Sequence, residues 1–188
     1  MSELNDHTPH DLCPYWLAGF LDAPLRRRLH DPLKIFTGLV SAGQTVVDLG
    51  CGPGYFSLGL AELVGEKGCV LAVDLQPQML ARLRSQAEKR GLSSRIVLHL
   101  CNPGSLGLDR PVDFGLAFWM LHEVPDPTRF LSEVYAAIKP GGRFLLVEPW
   151  IHVSKKAFQG SLERIVKIGF NPIAQPEIRL SRSVLFQK

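Results

Sequence analysis

Glycine recurs at alternate positions in the run "VVDLGCGPGYF", where Gly50, Gly52 and Gly54 directly follow a stretch of apolar residues. Because glycine carries no Cβ, such a loop turns sharply and lets its backbone come close to a bound molecule. A turn that serves only the fold seldom needs this repeated pattern after a buried strand. The pattern therefore favours a loop that holds a nucleotide-like ligand over a purely structural turn.

Asp74 ends the next apolar run, "CVLAVD", about 20 residues after Gly54. At this spacing an acidic residue accepts hydrogen bonds from the hydroxyls of a ribose. The alternative is that Asp74 only caps the helix that Pro77 begins. The loop and the acid together indicate an adenosine-containing ligand, and nicotinamide and flavin enzymes share both features.

The glycine loop and Asp74 can bind one ligand only if the strands that precede them end beside each other. The sequence alternates strand-like and helical segments, which is the pattern of a fold with such strands. Short apolar runs typical of buried strands begin at Thr45, Cys69, Arg95 and Val112. Asp126 followed by Pro127 is typical of a helix start. The segment "KPGG" is predicted to turn into the strand "RFLLVE", and "IRLSRSVLFQ" to form two tightly joined strands.

The alternation predicts an α/β fold with a doubly wound, mostly parallel sheet and helices on both faces. In such a sheet, ligands bind beyond the carboxyl ends of the strands, near the point where the strand order reverses. The fold would therefore bring the glycine loop and Asp74 to one edge. Residues 1–188 are predicted to form a single domain, because the length leaves no room for a second large one.

Composition narrows the function classes. Lys and Arg total 21 against 18 Asp and Glu, and the net charge of +3 is too weak to indicate a nucleic-acid partner. The amino terminus lacks a secretory signal, and no apolar run is long enough to span a bilayer. Cys13, Cys51, Cys69 and Cys101 form no CxxC pair, which argues against a structural metal and disulfides. We expect a cytoplasmic protein without a nucleic-acid, membrane or metal partner.

Three segments resemble the motifs of the class I methyltransferases that use S-adenosylmethionine. They are "VVDLGCGPGYFS", "VLAVDLQPQML" and "FLSEVYAAIKPGGRFLLVEP", in the family's order from about Thr45 onward. Tyr55, at the position of the third glycine of a GxGxxG loop, would crowd a pyrophosphate. The resemblance implies a Rossmann-like, seven-stranded sheet whose last strand is antiparallel, and S-adenosyl-L-methionine as cofactor.

The resemblance also implies which residues bind the cofactor. They are Asp48, Gly50, Cys51 and Gly52 at the methionine moiety, Asp74 at the ribose, Leu75, Met79 and Asn102 at the adenine, and Phe118 and Trp119 near the methionine end. Relatives often carry an acid near the position of Asn102. Asp48 is equally well explained as an organiser of the loop through backbone N–H groups, and Cys51 as a small residue that fits there.

Methyl transfer from a sulfonium is an in-line displacement, so the protein mainly aligns the acceptor and excludes water. A base helps only where the acceptor carries a proton at the working pH. His122 and Glu123, in the loop "FWMLHEVPD" after the fourth strand, are the candidates for this catalytic role. Each is otherwise explained as a polar residue at the end of a strand or helix. The loop lacks the Asn or Asp followed by Pro-Pro and an aromatic residue that relatives acting on nucleobase amines show.

Residues 1–40 are predicted to form a helical lid over a cofactor-binding core at 41–188. Trp16, Phe20 and Leu25 share one helical face there, which a plain packing helix also explains. Without a large insertion between the late strands, the acceptor pocket must come from the lid, the fourth-strand loop and "EPWIHV". Trp150 and His152 are candidates for its wall, and Trp150 is equally well explained as a cover for the edge of the sheet. A pocket built in this way favours a small-molecule acceptor.

The predicted function is therefore methyl transfer from S-adenosylmethionine to a small molecule. One alternative is a nicotinamide-dependent oxidoreductase, which the GxGxG spacing and the short chain disfavour. The other is a catalytically silent cofactor-binding protein that acts through a partner, which the sequence leaves open because the family requires no invariant catalytic side chain. Metalloid methylation, which Cys13 suggests, needs several thiolates, and no comparable set is evident.

Overall fold

A computed structural model of the chain describes residues 28–188. The segment of the predicted lid that carries Trp16 lies outside the described residues. The seven strands are β1 (Thr45–Leu49), β2 (Cys69–Asp74), β3 (Ile96–Leu100), β4 (Val112–Phe118), β5 (Ile138–Pro149), β6 (Asn171–Ala174) and β7 (Ser181–Gln187). The helices of the described part are α1 (Pro32–Phe36), α2 (Tyr55–Val64), α3 (Pro77–Lys89), α4 (Pro127–Ala137) and α5 (Lys155–Ile168), with single 3₁₀ turns at Ser93–Arg95 and Leu121–Glu123.

The strands form one sheet in the order β3-β2-β1-β4-β5-β7-β6. The pairs from β3 through β5 are parallel, whereas β7 is antiparallel to both of its neighbours, β5 and β6. This confirms the predicted doubly wound, mostly parallel sheet with an antiparallel last strand. The strand order reverses at β1, which lies between β2 and β4, so the crevice for a ligand lies beyond the end of β1.

Two apolar layers cover the sheet. Successive residues of a strand point to opposite faces, so Val46 joins one layer and Val47 the other. The first layer contains buried residues from α1, α2 and α3: Phe36, Leu60 and Leu83. The second contains buried residues from α4 and α5: Leu131, Val134 and Ile165. The helices therefore pack on both faces, as the sequence predicts, and leave the carboxyl edge of the strands to a ligand.

The prediction that residues 178–187 form two strands is wrong. They contain one strand, β7, and its antiparallel partner β6 precedes them in the chain. All four residues of β6 are exposed, and one is Pro172, which has no N–H to donate. An edge strand tolerates such a residue, but its sequence does not read as a strand. Leu180, with φ of 57°, turns the chain just before β7.

The segment "KPGG" turns as predicted, but within β5 rather than before it. The pairing of β4 with β5 shifts between Val112 and Phe114, so residues 139–142 bulge out opposite Asp113. Oδ1 of Asp113 accepts a hydrogen bond from Nζ of Lys139 at 2.7 Å, and Oδ2 accepts one from the N–H of Thr45 at 2.8 Å. One carboxylate thus joins the bulge to the start of β1.

Candidate active site

A cavity of about 1000 Å³ lies at the edge of the sheet where β1 to β5 end and β7 begins. The residues that the resemblance assigns to the cofactor and the two candidate catalytic residues line it, namely Asp48, Gly50, Cys51, Gly52, Asp74, Leu75, Met79, Asn102, Phe118, Trp119, His122 and Glu123. The glycine loop and the loop after β4 therefore open into the same space, although they are far apart in the chain.

The glycine loop has a backbone that glycine adopts more easily than other residues. Gly50, Gly52 and Gly54 have φ of 65°, 54° and 93°, in the left-handed region. A Cβ on Gly54 would lie 2.1 Å from Cδ1 of Leu83, so glycine lets the start of α2 pack against α3. A Cβ on Gly52 would meet no protein atom within 4 Å. Gly52 therefore keeps the backbone open to the cavity, whereas Gly54 serves packing.

The carboxylate of Asp74 ties the end of β2 to the glycine loop. Its Oδ2 accepts a hydrogen bond from the N–H of Gly52, and its Oδ1 accepts one from the N–H of Gln76, each at 2.8 Å. Burial raises the pKa of the carboxyl, although hydrogen bonds from the N–H groups of Gln76, Gly52 and Leu75 oppose the shift. The N-cap of α3 is Gln76, so the alternative that Asp74 caps this helix is wrong.

Asp48 is buried at the end of β1, where its Oδ2 accepts a hydrogen bond from the hydroxyl of Ser57 at 2.6 Å. Ser57 is fully buried in the first turn of α2. The bond fixes this turn against β1 and so holds both ends of the glycine loop. Asp48 thus organises the loop through a side-chain hydroxyl, a partner that sequence reasoning did not identify.

Cys51 and Cys101 line the cavity as free thiols. Burial raises the pKa of Cys51 well above its ordinary value, and the charges of Asp48 and Asp74 raise it further. Burial and Asp74 also raise the pKa of Cys101, to about 11. Both sulfurs are therefore protonated near neutral pH, which makes them poor nucleophiles and poor metal ligands. This agrees with the simpler explanation of Cys51 as a small residue that fits the loop.

Leu75, Met79 and Asn102 form the part of the wall that follows β2 and β3. Met79 is buried in the first turn of α3. The N–H and C=O of Asn102 pair with the C=O and N–H of Ser105 at 3.2 and 3.1 Å, which makes a tight turn at the cavity. This part of the wall therefore presents two apolar side chains and one amide on fixed backbone.

Phe118 and Trp119 form an aromatic wall after β4, and His30 supports it from behind. The imidazole of His30 lies edge-on to both rings, with centroids 5.2 and 5.0 Å away, and its Nε2 donates a hydrogen bond to the C=O of Arg179 at 2.7 Å. Trp119 has φ of 58°, and its indole N–H donates to Oγ of Ser181 at 2.9 Å. Sequence reasoning missed His30, because its partners lie far away in the chain.

His122 lies in the 3₁₀ turn after β4, beside the end of β5. Its Nδ1 is 2.5 Å from Oε2 of Glu148, and the N–H of Leu121 donates to Oε1 of the same carboxylate at 3.0 Å. Glu148 is 2% exposed, whereas the side chain of His122 is 27% exposed. Sequence reasoning missed Glu148. The signal that could have identified it is a carboxylate within the otherwise apolar run "FLLVEP".

The surroundings of His122 favour its protonated form. The hydrogen bond to Glu148 raises the pKa of the imidazole, burial lowers it, and the charges of Glu148 and Glu123 raise it again, with a net rise above 6.5. Glu123 lines the cavity beside His122. The ring of His152 lies 6.2 Å from that of His122, between centroids.

Past β5, the cavity wall continues through Ile151 and His152 and is completed by Leu180. The expectation that His152 lines the pocket is confirmed. Trp150 is 54% exposed and is not part of the wall, so the corresponding expectation for Trp150 is wrong. Ile151 is 77% exposed, so this end of the cavity is open and apolar.

The absence of a metal cluster and of a membrane-spanning helix holds for residues 28–188. Within this range, no group of three or more His, Cys, Asp or Glu side chains is arranged to hold a metal ion. None of the helices in the same range has both the length and the apolar character needed to cross a bilayer.

Comparison with known proteins agrees with this site. The methyltransferase domain family matches residues 40–169. A demethylmenaquinone methyltransferase of Shouchella clausii is 33% identical over 135 residues, which are 69% of this chain and 56% of that protein. The aklanonic acid methyltransferase DauC of Streptomyces sp. strain C5 is 32% identical over 128 residues, 67% of this chain and 55% of that protein. The chain thus spans about half the length of these curated relatives.

Among solved structures, a SAM-dependent methyltransferase from Aquifex aeolicus has the same fold. It superposes with a TM-score of 0.82 at 24% identity, over 94% of this chain and 99% of that one. A reversed last strand and a glycine loop at the switch point define the class I methyltransferase fold here. The chain belongs to the S-adenosylmethionine-dependent methyltransferases, and S-adenosylmethionine is its cofactor. Neither alternative, a nicotinamide-dependent oxidoreductase or a silent cofactor-binding protein, is supported by these comparisons.

Proposed function

We propose that this protein transfers the methyl group of S-adenosylmethionine to a small organic acceptor. The observation that carries the proposal is the continuity of the cavity, which runs from the glycine loop to His122. Its volume of about 1000 Å³ lies at the upper end of the range for small-molecule sites, which suits a cofactor together with a small acceptor.

The cofactor half of the cavity suits S-adenosylmethionine in three respects. Gly52 presents bare backbone where a Cβ would enter open space, which is what close approach of a ligand requires. The carboxylate of Asp74 has about four lone-pair sites, so it can accept from a ribose hydroxyl beside its hydrogen bonds from backbone N–H groups. Leu75 and Met79 supply apolar contacts for an adenine ring, and the amide of Asn102 supplies a hydrogen-bonding edge.

The methionine end of the cofactor would lie near Asp48, Gly50 and Cys51, opposite Phe118 and Trp119. The aromatic faces there suit a positively charged sulfonium, because ring faces attract cations. The acceptor would then occupy the remaining part of the cavity, which contains His122, Glu123 and His152 among apolar side chains such as Phe130 and Ile151.

The acceptor half of the cavity, around His122, and the names of two similar proteins both favour a small acceptor. These two proteins are named for demethylmenaquinone and for aklanonic acid, both small molecules. The mixture of apolar wall and histidine suits a carbon-rich acceptor with one polar reacting group. We therefore propose a quinone-like or similar aromatic acceptor rather than a macromolecule.

The single-domain arrangement, with a lid in residues 1–40 over a core at 41–188, is part of the proposal. Phe36 is buried among the rings of Phe56 and Phe114, so α1 belongs to the core. The covering part of the lid would therefore precede α1. Within residues 28–40, His30 lies behind the aromatic wall of the cavity.

The test combines binding with turnover on the purified protein. Calorimetry should show saturable binding of S-adenosylhomocysteine and none of NAD. Methyl transfer from labelled S-adenosylmethionine should then be screened over phenols, quinols, carboxylic acids, amines and thiols of small size. Binding of the cofactor without transfer to any acceptor would instead indicate a silent binder, and binding of NAD alone would contradict the cofactor assignment.

A further inference from the structure

Glu148 is a buried carboxylate whose position serves His122. It lies in β5 with apolar neighbours on either side in the strand, and it is 2% exposed. Burying a charge is costly unless polar partners compensate. Its two oxygens have such partners in the N–H of Leu121 and in Nδ1 of His122.

This arrangement fixes the tautomer of the imidazole. An ionised carboxylate only accepts hydrogen bonds, so Nδ1 of His122 carries the hydrogen, and Nε2 of the neutral ring is left as an acceptor. Nε2 has no hydrogen-bond partner among residues 28–188, and His122 lines the cavity. The basic nitrogen is therefore available to a molecule bound there.

We propose that Glu148 and His122 form a dyad that removes the proton of a weakly acidic hydroxyl, so that the acceptor enters as a phenol or an enol. The inference rests on the proposed function and deepens it, because it names the chemical class of the reacting group. His122 is the catalytic base, and Glu148 is a positioning residue that orients the ring and stabilises the imidazolium.

The charges around the ring support this role. Glu148 faces His122 from β5, Glu123 from its own turn and His152 from the segment after β5, while Asp126 lines the same cavity at the start of α4. Glu148 and Glu123 raise the pKa of His122, and the main cause is the hydrogen bond that its Nδ1 donates to Glu148. A raised pKa means that the imidazolium formed on taking up a proton is stabilised where it forms.

The proposed step is a proton transfer followed by methyl transfer. The hydroxyl proton moves to Nε2 of His122, and the oxygen lone pair, directly or through the conjugated carbon beside it, becomes the nucleophile. S-adenosylmethionine supplies the methyl carbon, whose bond to sulfur breaks as the new bond forms and leaves its electron pair on sulfur. The positive charge lost from the sulfonium reappears on the imidazolium, which releases its proton to solvent after the step.

The decisive variant is Glu148→Gln. The amide oxygen replaces the carboxylate oxygen toward the N–H of Leu121, and the NH₂ group then faces Nδ1 of His122. Because that group only donates, the ring hydrogen must move to Nε2, which blocks the base. We expect the kcat for an ordinary phenol to fall about 10²- to 10⁴-fold, while KM and the affinity for S-adenosylhomocysteine stay within about threefold.

A matched pair of acceptors separates the base from a structural effect. A phenol with an electron-withdrawing substituent, already ionised at the assay pH, needs no base. Glu148→Gln should therefore lose no more than a few-fold in kcat on this acceptor. Glu148→Asp, which keeps the charge, should retain more activity on the ordinary phenol than Glu148→Gln does.

Nitrogen NMR of His122 provides a readout that does not depend on turnover. In the wild type the hydrogen should reside on Nδ1, with a pKa above 6.5, and in Glu148→Gln the pKa should fall. Equal losses on both phenols, or a wild-type hydrogen on Nε2, would overturn the dyad and leave the proposed function intact. A wild type that binds S-adenosylhomocysteine and methylates neither phenol nor any other acceptor would overturn both.

Discussion

The N–H of Gly52 donates a hydrogen bond to Oδ2 of Asp74 across 2.8 Å, so the glycine loop and the end of β2 form one unit. The resemblance to the class I methyltransferases assigns these two residues to different parts of the cofactor, the methionine moiety and the ribose. Their direct contact means that a change in either one alters both subsites. A carboxylate has about four lone-pair sites, so Asp74 can hold the loop and a ribose together.

Asp74→Ala should lower the affinity for S-adenosylmethionine and S-adenosylhomocysteine by a similar amount, about 1.5 to 3 kcal/mol, because hydrogen bonds to a charged group are lost. The N–H groups of Gly52 and Gln76 lose their acceptor as well, so the free energy of unfolding should also fall. Calorimetry and thermal unfolding measure the two effects. Asp113→Ala is the control, because Asp113 accepts from a backbone N–H outside the cavity. Equal affinities in Asp74→Ala and the wild type would contradict the ribose assignment.

The affinity of the wild type for S-adenosylhomocysteine should fall in acid. Burial raises the pKa of Asp74 above its usual 3.8, so the carboxylate takes up a proton at a higher pH than an exposed one. The protonated group is a weaker acceptor, so binding should be full above this pKa and weaken as the pH drops through it. Calorimetry over a pH series checks the position of the decline, which should disappear in Asp74→Ala.

Gly52→Val should abolish binding of S-adenosylhomocysteine, because the added branches enter the cavity where no protein atom lies within 4 Å of a Cβ. The φ of 54° also strains any L side chain, which lowers stability. Gly91→Val is the matched control, since Gly91 has φ of 66°, a Cβ in open space and an exposed position outside the cavity. Both variants should lose similar stability, and only Gly52→Val should lose binding. Normal binding in Gly52→Val would place the cofactor elsewhere.

His122→Ala should lower turnover about 10²- to 10⁴-fold, the usual contribution of a positioned base, and leave the affinity for S-adenosylhomocysteine nearly unchanged. Since the base must be neutral and its pKa is raised, wild-type turnover should fall as the pH drops through a value above 6.5, and the mutant should lack this limb. His122→Gln is the control for a structural effect, because its amide N–H can still donate a hydrogen bond to Glu148. Full activity in both variants would shift the role to Glu123.

Gly59 and Gly160 should respond in opposite ways to alanine. Alanine in a helix interior normally stabilises by about 0.5 to 1 kcal/mol relative to glycine. At Gly160 in α5 a Cβ meets nothing within 4 Å, so Gly160→Ala should raise the free energy of unfolding by about this amount. At Gly59 in α2 a Cβ would lie 2.4 Å from Cβ of Pro32, so Gly59→Ala should lower it. Denaturant unfolding of both variants measures the signs.

Local signals predicted much of the fold. The helix start at Asp126 is an example, since its side chain accepts a hydrogen bond from the N–H of Arg129, as a cap should. The parallel strands β1, β2 and β4 could be predicted because their burial on both faces gives continuous apolar runs. β6 could not, because an exposed edge strand with Pro172 has no such pattern.

The site was predictable where one segment supplies it and unpredictable where distant segments meet. The glycine loop could be predicted because its three glycines lie within five consecutive residues. Glu148 contacts the turn after β4, and His30 contacts Arg179 near the other end of the chain, and no spacing within a single segment encodes such contacts. Placing Asp48 and Ser57 together likewise required the packing of α2 on β1.

Because β7 runs antiparallel to β5, it begins at the edge of the sheet where the cavity lies. Its first residue, Ser181, pairs with Pro149 at the edge of the cavity, so the residues that lead into β7 reach the cavity. Leu180 lines the cavity, and the C=O of Arg179 holds His30 behind the aromatic wall. A parallel strand would have turned this connection to the opposite edge. Under the proposed function, variation in residues 175–180 would alter the part of the cavity beside Leu180 and the support of the aromatic wall, whereas the backbone of the glycine loop, which comes from β1 and α2, would stay the same.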